Sequence, residues 1–86
     1  MGPGETMSTY LRDAFHHVER ITYYYNHAGT AGYAQARHHY DELSALRMRA
    51  YNSKQDQEDA PVIGAMIEKA GQMIDAMLKR EKESGS

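Results

Sequence analysis

The sequence predicts an all-α fold, and three observations carry that prediction. Apolar residues recur at three- and four-residue spacing along the chain, two polar breaks bearing glycine or proline divide the pattern into three segments, and no stretch alternates with the two-residue period of a half-buried strand. With 86 residues there is room for one domain, and a chain of this size buries only about 60–65% of its unfolded surface. The expected architecture is an antiparallel helical hairpin plus a third amphipathic helix, a three-helix unit completed by oligomerisation.

Residues 1–7, Met1-Gly2-Pro3-Gly4-Glu5-Thr6-Met7, lack both the basic start and the apolar core of a secretory signal. They read as an added or disordered N-terminal extension, with the native start at Met7. The domain proper then spans residues 8–83, and Ser84, Gly85 and Ser86 read as a disordered tail.

In the first segment Leu11, Ala14, Phe15, Val18, Thr22 and Tyr25 share a stripe. Ser8 or Thr9 offers a hydroxyl to accept a backbone N–H at the start, which sets a helix over about 9–26. Asn26-His27-Ala28-Gly29 tolerates the left-handed conformation that closes a helix, and Thr30 can cap the next. Tyr33, Ala36, His39, Tyr40, Leu43, Leu46 and Ala50 line one side of a second helix over about 31–52. So short a connection favours an antiparallel pair.

Ser53 to Asp59 contains no apolar residue, and Pro61 follows at a position suited to a first helical turn. The third helix, about 61–82, carries the widest apolar stripe: Val62, Ile63, Met66, Ile67, Ala70, Met73, Ile74, Met77 and Leu78. Gly64 and Gly71 interrupt it, each costing about 1 kcal/mol of helix propensity relative to Ala. That cost argues for close approach by another helix. Adaptable methionines on the same element suit a partner surface, so Gly64, Ile67, Gly71, Ile74 and Met77 are expected at the interface of a homo-oligomer, a dimer first.

Composition narrows the function. Ten Lys and Arg against twelve Asp and Glu give a net charge of −2, so no global field draws the chain to nucleic acid or anionic lipid. With no cysteine there is no disulfide framework and no thiolate zinc site, which fits a reducing, cytoplasmic setting. The longest near-continuous apolar run, Ala60 to Ile67, falls far short of the roughly 20 residues that cross a bilayer. There is no Gly-x-Ser-x-Gly elbow, and Gly29-Thr30-Ala31-Gly32 lacks the Lys-Ser/Thr that would complete a phosphate loop. No enzymatic activity and no cofactor are expected.

Three consecutive tyrosines, Tyr23, Tyr24 and Tyr25, cannot all face one core. Along the flank of the first stripe run Arg12, His16, Arg20, Tyr23 and His27; along that of the second run Arg37, Tyr40, Ser44, Arg47 and Tyr51. Tyr and Arg are enriched at buried interface anchors. The expected function is therefore that of a non-catalytic binding protein, an adaptor, inhibitor or regulator of the size of bacterial and phage accessory factors, engaging another protein through this surface with Tyr24 beside it. Guanidinium forks and aromatic faces also suit an anionic ligand, so an oligomeric protein sequestering a phosphate-bearing nucleotide, or binding nucleic acid, is the alternative. A second alternative is a metal-binding helical bundle. His16 with Glu19 and His39 with Glu42 are one-turn pairs that the hairpin would bring to similar levels, although the order reverses the Glu-x-x-His of carboxylate-bridged sites.

Overall fold

A computed structural model describes residues 9–27 and 32–85, with side chains as far as Glu83. The N-terminal extension, the Ser8 cap, Ala28, Gly29, the Thr30 cap and Ser86 lie outside the described residues. The chain is all-α: three helices pack on one another and no strand occurs among the described residues. They are α1 (Thr9–His27), α2 (Tyr33–Asn52) and α3 (Ala60–Gly85), with a 3-10 turn at Gln57–Asp59.

Each helix forms where its apolar stripe can be enclosed by the other two. α1 buries Ala14 and Ile21, seven residues and two turns apart. α2 buries Ala36, Leu43, Leu46 and Ala50. Ala60, Ile63, Ala70, Ile74 and Met77 complete the core from α3. The alanines at 14, 36, 50, 60 and 70 let helix axes approach closely, so the bulk of the interior comes from Ile21, Leu43, Ile63 and Met77, all fully enclosed. No side-chain polar atom among the described residues is buried without a partner, which keeps this thin core free of desolvation cost.

The polar break is an ordered staircase. Ser53 adopts extended backbone, ending α2. The amides of Ser53, Asp56 and Asp59 then donate to the carbonyls of Ala50, Ser53 and Asp56 at 3.1, 3.1 and 2.9 Å. Backbone groups are thereby satisfied over a stretch with no apolar anchor, and Pro61 enters α3 where its missing N–H has no partner to lose. At the far end α3 continues through Ser84 and Gly85, further than the polar tail suggested. Lys79, Arg80, Glu81, Lys82 and Glu83 are good helix formers that need no core contact to extend it.

α3 packs on its own hairpin, against both α1 and α2. Ile74 and Met77 are enclosed within one chain. Over the two glycines lie side chains of α2 rather than another backbone: Arg47 at Gly64 and Tyr40 at Gly71. Ile67 is half-buried in the same contact. A 26-residue helix, about 39 Å long, is long enough to run the length of the hairpin.

α1 and α3 run parallel, and two polar contacts fix their register. The Thr22 hydroxyl lies 2.8 Å from the Val18 carbonyl and 3.7 Å from the Met73 sulfur. A turn further on, the Arg80 guanidinium donates to the Tyr25 carbonyl at 3.0 Å and sits 4.4 Å from the centre of the Tyr25 ring. Tyr25 is in the last turn of α1, where carbonyls have no intrahelical partner. A cation from α3 therefore caps the C-terminus of α1.

Candidate functional site

Three helices give three seams, and each holds a different chemistry. The seam between α1 and α2 is lined by imidazoles and tyrosine. His17 and His39 meet across it, Nδ1 to Nδ1 at 2.9 Å, both half-buried. Tyr24 stacks on His39 with ring centres 6.2 Å apart and planes 24° off parallel. His16 and His38 flank the pair, each with its ring centre 5.5 Å from that of its sequence neighbour. Burial and the neighbouring imidazoles hold His17 and His39 below the ordinary histidine range, with Glu42 and Asp13 opposing the shift at His17 and Arg20 adding to it at His39.

Beside that seam the triple tyrosine divides among three environments. Tyr23 is exposed, stacked on His27 at 4.8 Å, with Arg20 5.0 Å from its ring centre. Arg20 also lies 5.2 Å from the Tyr24 ring centre and donates to the Tyr24 hydroxyl at 3.2 Å. Tyr25 turns to α3 and takes the Arg80 cap. Consecutive residues on a helix are 100° apart, so one tyrosine serves the surface, one the α1–α2 seam and one the α1–α3 seam.

The seam between α2 and α3 is an open groove of about 720 Å³ whose lining includes Arg47, Tyr51, Ala60, Pro61, Gly64 and Ile67. Tyr51 is 63% exposed, and Met48, one turn earlier on α2, is 58% exposed. The seam between α1 and α3 sets Val18, Tyr25 and Met73 around Thr22, with Lys69 and Gln72 at its edge. Phe15 and Val62 remain exposed on those two helices.

This arrangement separates two sets of residues that the sequence appeared to unite. Arg20 and Tyr24 sit on the α2-facing flank of α1, with Tyr23 outside them on the surface and His16 edge-on to His39. Tyr40 and Arg47 lie on the opposite flank of α2, against α3, and Tyr51 shares that side. Arg37 is exposed, paired with Asp41 at 3.2 Å and 5.6 Å from the Tyr40 ring centre; Arg12 is exposed two turns before Arg20. The flank of α2 that meets α1 carries His39 and Glu42 instead. Within one chain Arg20 therefore lies by the α1–α2 seam and Arg47 by the α2–α3 seam.

The metal candidates are likewise regrouped. His17 bonds to His39 while His16 meets the same ring edge-on at 6.3 Å, and Glu19 is exposed, two residues and thus 200° around α1 from His17. Among the described residues no group of three or more His, Cys, Asp or Glu is placed to hold a metal ion. His17 was legible in principle: Tyr10, Ala14, His17, Ile21 and Tyr24 form an unbroken three-four heptad series on the core flank. Arg80 had no comparable signal, because its partner is a backbone carbonyl.

No helix among the described residues is long and apolar enough to cross a membrane. No protein-family model, curated protein or solved structure matches the chain.

Proposed function

We propose that the chain is a non-catalytic binding protein whose docking surface is the groove between α2 and α3, with Arg47 and Tyr51 as its anchors. The observation that carries this reading is the exposure of Tyr51 beside Arg47 over a floor notched at Gly64. Tyr and Arg are the residue types that dominate binding energy when a partner encloses them. Tyrosine offers a large rigid face at low conformational cost, and the adjacent Met48 supplies an adaptable apolar edge. The complementary partner is a protein segment that seats an apolar side chain between Arg47 and Tyr51, in the manner of a helix laid in a groove. A second copy of this chain is one such partner, and it would have to use an exposed surface of this kind because Ile74 and Met77 are already enclosed.

The test is site-directed. A photo-crosslinking residue at position 48 is irradiated in lysate of the native host, and the adduct is identified and purified. Affinity is then measured by calorimetry for wild type, Tyr51→Ala and Arg47→Ala. Each substitution is expected to weaken binding by about 2 kcal/mol, roughly thirtyfold. Unchanged affinity in both variants, or no adduct from position 48, refutes the assignment.

A further inference from the structure

His17 of α1 and His39 of α2 are titratable side chains from different helices that bond directly to one another. Their ring centres are 5.1 Å apart while the two Nδ1 atoms are 2.9 Å apart. A ring nitrogen stands about 1.2 Å from its ring centre, so the two nitrogens point nearly head-on along the line between the rings. A metal ion at about 2.0–2.1 Å from each nitrogen does not fit between lone pairs that meet at this distance. A single proton does: one Nδ1 donates, the other accepts, and the tautomers of both rings are thereby coupled.

We propose that the His17–His39 pair is an acid-sensitive latch that holds α1 against α2. With both rings neutral the bond forms. A first proton on the outer nitrogen of the donor ring leaves the bond in place but puts a cation in a half-buried seam. A second proton requires both Nδ1 atoms to be donors and breaks the bond. The surroundings oppose charging on balance. Arg20, His16 and His38 face the pair with positive or chargeable groups, against the carboxylates of Asp13 and Glu42. All five lie on α1 or α2, while α3 packs against the opposite flanks of the hairpin, at Tyr40, Arg47 and Thr22.

The sign follows from linkage. In the unfolded chain both imidazoles titrate near the ordinary value of 6.5, and in the folded chain both are lowered. Between those values the unfolded chain binds more protons, so stability falls as pH drops through this window. The contribution is complete above about pH 6.5 and is lost as pH falls through the lower folded values. The two sites titrate as a coupled pair rather than singly.

The experiment uses the full chain. Urea midpoints are compared at pH 7.5 and 5.0 for wild type and for the His17→Leu, His39→Leu double variant, whose seam does not titrate at these positions. The wild-type midpoint is expected to fall at pH 5.0, and the double variant is expected to show less than half of that shift. Imidazole NMR titration of wild type and His17→Gln keeps the question decidable if the double variant does not fold. Both rings should titrate below 6.5 in wild type, and His39 should move upward in His17→Gln, because His17 is one of the groups that hold it down. Equal midpoint shifts in both proteins, or a His39 titration at 6.5 that ignores His17→Gln, overturns the latch.

Discussion

The Tyr40 hydroxyl of α2 rests 3.4 Å from the point at which a Cβ on Gly71 of α3 would stand, and the Arg47 side chain lies equally close over Gly64. The glycines thus form shallow notches that seat side chains, and neither notch is so tight that a methyl group is forbidden. Replacing a helix-interior glycine by alanine recovers about 0.8–1 kcal/mol of propensity. Gly64→Ala is expected to stabilise the chain by about 0.5–1 kcal/mol in urea unfolding, since the Arg47 side chain can swing aside. Gly71→Ala is expected to gain less, because a rigid ring presents three atoms within 3.9 Å. Destabilisation of more than 1 kcal/mol in both would mean that the helices stand closer than these notches allow.

Core and surface should separate cleanly in mutagenesis. Leu43 is fully enclosed at the centre of α2, so Leu43→Ala is expected to cost about 2–5 kcal/mol through lost burial and the cavity left behind. Ala36 is equally enclosed, and Ala36→Leu is expected to cost about 1–3 kcal/mol by overpacking. Tyr51→Ala should change stability by less than about 0.5 kcal/mol, which makes it a clean probe of binding. Equilibrium denaturation of the three variants checks the ranking.

The all-α class and the hairpin were legible because the apolar periodicity is strong and Gly and Pro punctuate it. What the sequence hid was the direction of each flank. Tyr40 and His39 are neighbours in sequence, yet one faces α3 and the other α1, and only the position of the third helix decides which. The same holds for Ile74 and Met77, which the chain's own hairpin encloses: a wide apolar stripe reads identically whether its cover is another subunit or the same chain. The one-turn pairs His16 with Glu19 and His39 with Glu42 are legible because spacing within a helix can be read from sequence, whereas the His17–His39 bond is made between helices.

Arg80 caps α1 from another element, so its loss should be local. Arg80→Ala removes a hydrogen bond to the Tyr25 carbonyl and a cation over the Tyr25 ring. At this exposed position the pair contributes no more than about 1 kcal/mol. Amide hydrogen exchange in the last turn of α1 is expected to accelerate, while protection around Leu43 stays within the small global change. Arg80→Lys should preserve part of the effect, because a cation near a helix C-terminus remains favourable. Uniform acceleration across all three helices would show that Arg80 supports the whole fold.

Arg20 links the tyrosine ledge to the imidazole seam, and its charge is one of the causes that hold His39 below the ordinary range. Removing that charge makes protonation of His39 easier, so Arg20→Gln is expected to move the His39 titration upward toward 6.5 without reaching it, since burial, the first cause, is untouched. Added salt screens exposed charges over about 8–10 Å, so the difference between wild type and Arg20→Gln should narrow at high ionic strength. In the same variant Tyr24 loses the donor to its hydroxyl, and Tyr23 and Tyr24 lose their shared cation. If the His39 imidazole resonances titrate identically in the two proteins at low salt, the guanidinium does not reach the seam electrostatically, and the seam is governed by burial and by its own imidazoles.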